Sequence, residues 1–187
     1  TLYLLAAIPL FIYMASMLEK WAVIEEVFDV AYKWLGRIPG GLAVATVVAS
    51  TVLAARVGVI GAAVVTMALV ALPSMLRRGY SPVLAVGTVM AGGTLGILIP
   101  PSVLAIVYGL VANQSVGELY LGSVFPGLVL SGLYILFSVG YALLNPKAAP
   151  RLSPEETPTW SERWRALRSI WSPLVLIFLV LGTIFLG

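Results

Sequence analysis

Charged residues divide the chain into apolar zones separated by polar segments. The zones with at most one charge are residues 1–18, 38–76, 79–144 and 170–187. The two interior zones contain only Arg56 and Glu118, respectively. A helix that crosses the hydrocarbon core of a bilayer needs about 20 predominantly apolar residues. The pattern therefore predicts an all-α membrane protein with polar connections at 19–37 and 145–169.

The first zone and the polar segment after it predict two different helices. Residues 1–18 predict a transmembrane helix. In residues 19–37, apolar side chains such as Val27 and Trp34 recur every three or four positions, with charges such as Asp29 between them. That pattern is typical of an amphipathic helix. We interpret the segment as an arm that lies in the membrane interface; a connecting helix on a neighbouring domain is the alternative.

The zone at 38–76 is too long for one crossing and short for two. It opens with the helix breaker Pro39-Gly40-Gly41 and has a glycine-containing stretch, 57–61, near its centre. A first helix over 42–55 would be about 21 Å long at a rise of 1.5 Å per residue. That is less than the roughly 30 Å of a bilayer core. Length therefore favours a re-entrant helical hairpin over two full crossings.

Residues 77–118 predict a turn followed by a broken transmembrane helix. Segments 83–91 and 103–112 are helical in character, and the stretch between them carries three glycines and two consecutive prolines. Each glycine disfavours a helix by about 1 kcal/mol, and each proline removes a backbone donor. We therefore expect the helix to be interrupted over 92–102.

The last part of the chain predicts further membrane helices. Residues 119–144 form one uninterrupted span with three tyrosines. Residues 145–169 read as a proline-rich linker followed by a short amphipathic helix, and residues 170–187 begin another span. Because the chain starts without methionine and stops within an apolar run, we expect it to be a segment of a longer protein.

Composition argues against several classes of protein. Hydrophobic residues make up 60% of the chain and charged residues 10%, against roughly 45–50% and 25% in soluble domains. These values exclude a soluble enzyme, a disordered tail and a nucleic-acid-binding module. The chain has no Cys and no His, so it lacks thiolate, zinc and histidine acid–base chemistry. We predict that it is not an enzyme and carries no cofactor.

The net charge of +3 is better explained by membrane orientation than by an anionic partner. If 38–76 returns to the side on which it began and 77–118 crosses once, every basic residue except Arg56 lies on one side. The positive-inside rule assigns that side to the cytoplasm. The basic residues on it are Lys20, Lys33, Arg37, Arg77, Arg78, Lys147, Arg151, Arg163, Arg165 and Arg168.

The interruption at 92–102 and the charge of Arg56 are the candidate functional features. Non-helical backbone survives at bilayer depth only inside protein or beside a water-filled cavity, so the interruption predicts a binding site with the hydroxyls of Thr94 and Ser102. Interrupted helices direct N-terminal dipole ends at anions and free carbonyl groups at cations such as sodium. An ionisable residue inside a membrane segment is a candidate functional residue. We expect Arg56 to bind a substrate carboxylate, to take the place of a cation, or to reach water at the tip of the hairpin.

Four segments resemble the large membrane subunit (DctM-like) of tripartite ATP-independent periplasmic (TRAP) transporters. They are IPLFIYMASMLEK at 8–20, WLGRIPGGLAVATVVAST at 34–51, GVIGAAVVTMALVALPSMLRRGYSP at 58–82 and GGTLGILIPPSVLAIVYG at 92–109. The most specific signature is GTLGILIPPS with RRGY upstream. The resemblance extends over essentially the whole chain.

The resemblance implies a sodium-driven importer of organic acids in the bacterial or archaeal inner membrane, working by an elevator mechanism. It also implies two partners: a periplasmic solute-binding protein that delivers the substrate, and a small membrane subunit that braces the scaffold. The large subunit of this family has two inverted repeats, each with a hairpin and a broken helix. This chain resembles most of the first repeat plus its connecting arm.

Carried over by position, the resemblance places the hairpin tip at 54–61 and the broken helix at 92–102. A sodium site would lie near Gly93 and Thr94, through backbone carbonyls and the Thr94 hydroxyl. The chain departs from the family at Arg56, where members have small or hydroxyl-bearing residues. The candidate substrate- and sodium-binding residues are Ala55, Arg56, Gly58, Gly92, Gly93, Thr94, Gly96, Pro100, Pro101 and Ser102.

Two other functions stay open at the level of sequence. A divalent-anion/sodium symporter of the same superfamily would need no binding protein. A non-transporting structural subunit of a membrane assembly would not respond to sodium. All three interpretations place the chain in a lipid bilayer, and none involves nucleic acid.

Overall fold

The computed structural model describes residues 23–57 and 60–150, together with Pro9, Tyr13, Trp164, Val175 and Gly182. The predicted membrane helices at the two ends of the chain and most of the predicted linker therefore lie outside the described residues. So do positions 58 and 59 and the side chains of residues 23–26 and 55–57.

The described part of the chain is built from α-helices and contains no strand. In chain order they are α1 (Val23–Leu35), α2 (Gly41–Val57), α3 (Ile60–Arg77), α4 (Pro82–Thr94), α5 (Val103–Ala112) and α6 (Val116–Leu144), with a 3-10 helix at Leu95–Ile97. Within these ranges, α3 and α6 are long and apolar enough to cross a membrane. The predicted all-helical fold is thus confirmed for this part of the chain.

Helix α2 lies at the centre of the structure. It packs against α1, α3, α4, α6 and the 3-10 helix, and most of its side chains from Leu42 to Ala54 are buried. A helix that is apolar on all its faces is expected to be surrounded by protein. One hydrophobic core joins α2 to Val27 and Phe28 of α1 and to Met67 of α3, so α2 fixes the relative positions of its neighbours.

The turn between α1 and α2 depends on two glycines. Gly40 has a φ of +68°, a left-handed conformation that glycine adopts without steric cost. A Cβ on Gly41 would lie 2.7 Å from the Cα of Gly36, so a side chain does not fit there. The breaker predicted at 39–41 is confirmed as the boundary between two helices, and it directs α2 tightly back from the end of α1.

Helices α2 and α3 pack together as the pair predicted at 38–76, but the first helix is longer than expected. It continues to Val57 and has 17 residues, which gives about 26 Å at the α-helical rise. The longer helix removes part of the length argument against two full crossings. The re-entrant geometry of this pair stays a prediction.

Three connections meet at one end of the fold. The Leu42 N–H, at the start of α2, donates to the Tyr80 hydroxyl at 3.2 Å. The Ser81 N–H, in the turn before α4, donates to the Ala148 carbonyl in the loop after α6 at 2.8 Å. The connections that carry Arg37, the Arg77-Arg78 pair and Lys147 are therefore close in space; their membrane side stays a prediction.

Candidate functional site

The interruption after α4 begins later in the chain than the glycines suggest. Gly92 and Gly93 are helical, and α4 ends at Thr94. A Cβ on Gly93 would lie 3.2 Å from the Cα of Val64 in α3, and one on Gly92 would lie 2.7 Å from the Cβ of Ser50 in α2. Close helix packing thus outweighs the poor helix propensity of glycine. The prediction of broken backbone is wrong for residues 92–94.

The segment between α4 and α5 is held by an apolar contact with α2 and α6. Leu95 and Ile99 form a buried cluster with Val47 and Ala54 of α2, against which side chains of α6 pack. Ala54 begins the predicted hairpin tip, so this cluster brings the tip end of α2 beside the interruption. Gly96 is buried in the same segment.

Two prolines and a serine lead from this segment into α5. Pro100 and Pro101 are fully buried and joined by a cis peptide bond. Ser102 is the N-cap of α5, but its side chain makes no capping hydrogen bond. Its carbonyl oxygen accepts a hydrogen bond of 3.1 Å from the hydroxyl of Tyr120 in α6, which fixes where α5 begins.

The Ser102 hydroxyl is buried without a hydrogen-bond partner among the described residues. The residue is 0% exposed, and its Oγ is unsatisfied. A buried hydroxyl without a partner costs about 1–3 kcal/mol, and such groups mark places where a ligand or water completes the bonding. It lies at the N-terminus of α5, where the helix dipole favours negative charge.

Thr94 has a hydroxyl with two neighbours. Its Oγ1 donates to the Ala91 carbonyl at 2.7 Å and lies 3.3 Å from the Tyr134 hydroxyl of α6. It ends α4, where the Leu95 N–H donates to the Gly92 and Gly93 carbonyls, each of which keeps a free lone pair, and where the dipole favours a cation. No group of three His, Cys, Asp or Glu that would hold a metal is found in the described ranges, so a cation here would be bound by hydroxyl and carbonyl oxygens.

The hairpin-tip candidates are only partly covered by the structure. Ala55 and Arg56 belong to the last turn of α2, but their side chains and all of Gly58 lie outside the described residues. Their proposed contact with a ligand stays a prediction. The same holds for the role of Arg56.

Tyr120, Tyr134 and Ser50 are site neighbours that sequence reasoning did not single out. The Tyr120 hydroxyl donates to the Ser102 carbonyl at the end of the interruption, and the Tyr134 hydroxyl lies beside that of Thr94 at its beginning. Ser50 is a second buried hydroxyl without a partner among the described residues. A signal was present for the tyrosines, because a phenol inside an apolar span needs a hydrogen-bond partner. No comparable signal separates Ser50 from the other small residues of α2.

A groove nearby does not suit an organic anion. An open groove of about 580 Å³ separates α4 from α6. Its walls are almost entirely apolar, and the hydroxyls of Thr88 and Ser138 in them donate to carbonyls of their own helices. Its lining residues include two phenols, Tyr134 and Tyr141, but no cationic side chain, so a carboxylate would lose its hydration there without an opposite charge. The interruption after α4 is therefore the better candidate site.

The family model of the tripartite ATP-independent periplasmic transporter, DctM component, matches residues 2–187. The chain belongs to this family. The resemblance seen in the sequence is thereby confirmed, and the four matching segments are parts of one continuous similarity.

Individual DctM-family relatives match almost all of the chain. It is 36% identical over 185 residues to the C4-dicarboxylate TRAP transporter large permease protein DctM of Vibrio cholerae, covering 99% of this chain and 40% of the relative. It is 37% identical to the protein of the same description from Pseudomonas aeruginosa, covering 99% of this chain and 42% of the relative. It is 31% identical to the ectoine TRAP transporter large permease protein TeaC of Halomonas elongata, covering 98% of this chain and 42% of the relative. The chain thus spans about two fifths of these relatives.

Proposed function

We propose that the full-length protein is the large permease subunit of a sodium-coupled secondary transporter that imports organic acids. Membership of the DctM family supports transport, and relatives named for C4-dicarboxylates support a carboxylate substrate. The relative named for ectoine shows that substrates differ within the family. A periplasmic binding protein delivers the substrate, and a small membrane subunit completes the transporter in the inner membrane, with the basic connections cytoplasmic.

The interruption between α4 and α5 offers opposite helix ends to opposite charges. The C-terminal end of α4, with Thr94, favours a sodium ion, and the N-terminal end of α5, with Ser102, favours a carboxylate. The segment between these two ends contacts the tip end of α2 through the buried cluster of Leu95 and Ile99 with Val47 and Ala54. In the elevator mechanism that we propose, α2 to α5 carry both solutes across the membrane together.

The buried hydroxyl of Ser102, which has no hydrogen-bond partner among the described residues, is the observation that carries this proposal. Ser102→Ala removes no hydrogen bond seen within that part of the chain, so the unfolding temperature of the full-length permease should be unchanged or raised. If the hydroxyl binds the substrate carboxylate, the KM for uptake should rise about tenfold or more, because a hydrogen bond to a charged group is removed. Ser123→Ala is the control, because that hydroxyl bonds the Tyr120 carbonyl of its own helix.

The sodium part of the proposal has its own test. Thr94→Val should raise the sodium concentration for half-maximal uptake. Thr88→Val, also in α4, should not, because the Thr88 hydroxyl donates to the Leu84 carbonyl of its own helix. Uptake should be measured in proteoliposomes with the complete transporter. Normal uptake by both Ser102→Ala and Thr94→Val would contradict the site.

The same preparation separates the alternative functions. Uptake by the permease without a binding protein would favour a divalent-anion/sodium symporter. A full-length permease whose thermal stability does not change with sodium, and which shows no uptake, would favour a structural subunit.

A further inference from the structure

Helix α6 carries two hydroxyls one turn apart that reach the candidate site. The Ser131 hydroxyl lies 2.8 Å from that of Thr51 in α2, and the Tyr134 hydroxyl lies 3.3 Å from that of Thr94 at the end of α4. Ser131 is buried, and Tyr134 packs on the cluster that holds the interruption. One face of α6 therefore contacts α2 just before the predicted hairpin tip and α4 at the start of the interruption.

The direction of both hydrogen bonds follows from counting hydrogens. A threonine hydroxyl has one hydrogen and two lone pairs. Thr51 donates to the Val47 carbonyl at 2.8 Å, and Thr94 donates to the Ala91 carbonyl at 2.7 Å. Each threonine has thus used its only hydrogen, so Ser131 and Tyr134 are the donors.

This direction determines how many lone pairs of the Thr94 oxygen remain free to bind a ligand. Its hydrogen is bound by Ala91, and one lone pair accepts from Tyr134, so a single lone pair remains with a fixed direction. We infer that Tyr134 is a positioning residue that orients the Thr94 hydroxyl for the sodium ion and thereby sets the sodium affinity of the transporter. The inference rests on the proposed function of Thr94.

A purely structural role for Tyr134 makes a different prediction. Its ring lines the groove between α4 and α6, and loss of that packing would lower stability and transport at all sodium concentrations. Tyr134→Phe keeps the ring, and the Ser131–Thr51 hydrogen bond still holds α6 against α2. The substitution therefore removes only the donor to Thr94.

The test is sodium-dependent uptake by the complete transporter in proteoliposomes. Because 3.3 Å is long for a hydroxyl–hydroxyl bond, Tyr134→Phe should raise the half-saturating sodium concentration about two- to fivefold. The maximal rate at saturating sodium and the unfolding temperature of the permease should stay the same. Tyr141→Phe is the control, because it removes a phenol from the same groove for which no hydrogen bond is found among the described residues.

Since Tyr134 acts through Thr94, the double variant adds a stricter condition. Thr94→Val combined with Tyr134→Phe should have the same half-saturating sodium concentration as Thr94→Val alone. Additive effects would overturn the inference. So would a value for Tyr134→Phe equal to that of Tyr141→Phe.

The outcomes also separate this inference from the proposed function. If Thr94→Val raises the half-saturating sodium concentration and Tyr134→Phe does not, the sodium site stands and the role of Tyr134 is wrong. If Thr94→Val has no effect, both are wrong.

Discussion

Helices α2 and α6 are both apolar, yet they occupy opposite environments. Most of α2 is buried, with Ala43, Ala45 and Ala49 all 0% exposed. Helix α6 has 29 residues, and large apolar side chains are exposed along most of its length. Its exposed residues include Leu121, Phe125, Leu128, Val129, Leu133, Leu136, Phe137, Leu143 and Leu144.

The difference between the two helices is one of side-chain size rather than hydrophobicity. Between helices in a membrane, small residues let backbones approach, because lipid tails are as apolar as leucine and give no driving force for burying large side chains. In α2, alanine and valine occupy the positions that face other helices, whereas leucine and phenylalanine of α6 face outward, towards the space that lipid would fill. Four substitutions test this contrast.

The largest effect is expected when a small residue of α2 is enlarged. Ala49→Leu inserts three carbon atoms into a fully packed position and should cost about 3 kcal/mol in the free energy of unfolding. The unfolding temperature of the full-length permease in detergent measures it. The control is Leu136→Ala in α6, where the side chain is 69% exposed and the change should be below about 0.5 kcal/mol. Equal losses would refute the size argument.

Gly127 is the position where α6 is packed as tightly as α2. A Cβ there would lie 3.0 Å from the Cγ1 of Ile99 and 3.4 Å from the Cβ of Leu98, so Gly127→Leu should displace the interruption and cost about 2 kcal/mol. At Gly132 of the same helix, no described atom beyond the helix's own backbone and the two adjacent residues lies within 4 Å of the Cβ position. Gly132→Leu should therefore be neutral or stabilising by helix propensity. Thermal unfolding of the two variants provides the comparison. A similar loss of stability in both would show that Gly127 and Gly132 do not differ in packing.

Tyr80→Phe tests the connection at the start of α2. It leaves the Leu42 N–H without its acceptor and should cost about 1–2 kcal/mol. Tyr108→Phe, at a side chain that is 58% exposed, is the matched control and should change little. An unchanged unfolding temperature for Tyr80→Phe would mean that water replaces the hydroxyl.

The same residue predicts a pH dependence. Burial raises the pKa of Tyr80 above its ordinary value of 10.0, so above pH 10 the unfolded chain loses this proton before the folded protein does. The stability that Tyr80 contributes is present below pH 10 and falls as the pH rises further. Tyr80→Phe should flatten that part of the stability curve.

The smallest effect is expected where α2 and α6 touch through polar atoms. Ser131→Ala removes the hydrogen bond to Thr51 and should cost about 1 kcal/mol or less, since Thr51 keeps its bond to the Val47 carbonyl. Ser123→Ala, whose hydroxyl bonds within α6, should cost less still. A loss above that of Ala49→Leu would show that the polar contact matters more than the small-residue packing.

The sequence predicted the helical fold and several helix boundaries because these depend on local chemistry. Pro39-Gly40-Gly41 marks the end of α1 and the start of α2 whatever the rest of the chain does. The end of α4 was misplaced, since Gly92 and Gly93 were interpreted as helix breakers. Their actual role is to admit Ser50 and Val64, and such contacts between distant residues cannot be inferred from local propensity.

The candidate site was predictable only in outline. The prolines and Ser102 lie outside the helices as expected, because proline limits a helix wherever it occurs; that α4 and α5 form one broken membrane helix stays a prediction. The Tyr134–Thr94 and Tyr120–Ser102 contacts join residues 40 and 18 positions apart, and their pairing depends on how α6 packs against the interruption. No spacing rule in the sequence connects them.

The tight turn at 36–40 has a consequence for how this part of the protein can vary in length. Each inserted residue turns an α-helix by about 100° relative to what precedes it. Because Gly41 lies directly on Gly36, the turn cannot accommodate an inserted residue without breaking this contact. One extra residue would rotate α2 and present different faces to α1, α3, α4 and α6 at once. We expect insertions and deletions to be excluded from this turn and to occur in the other connections.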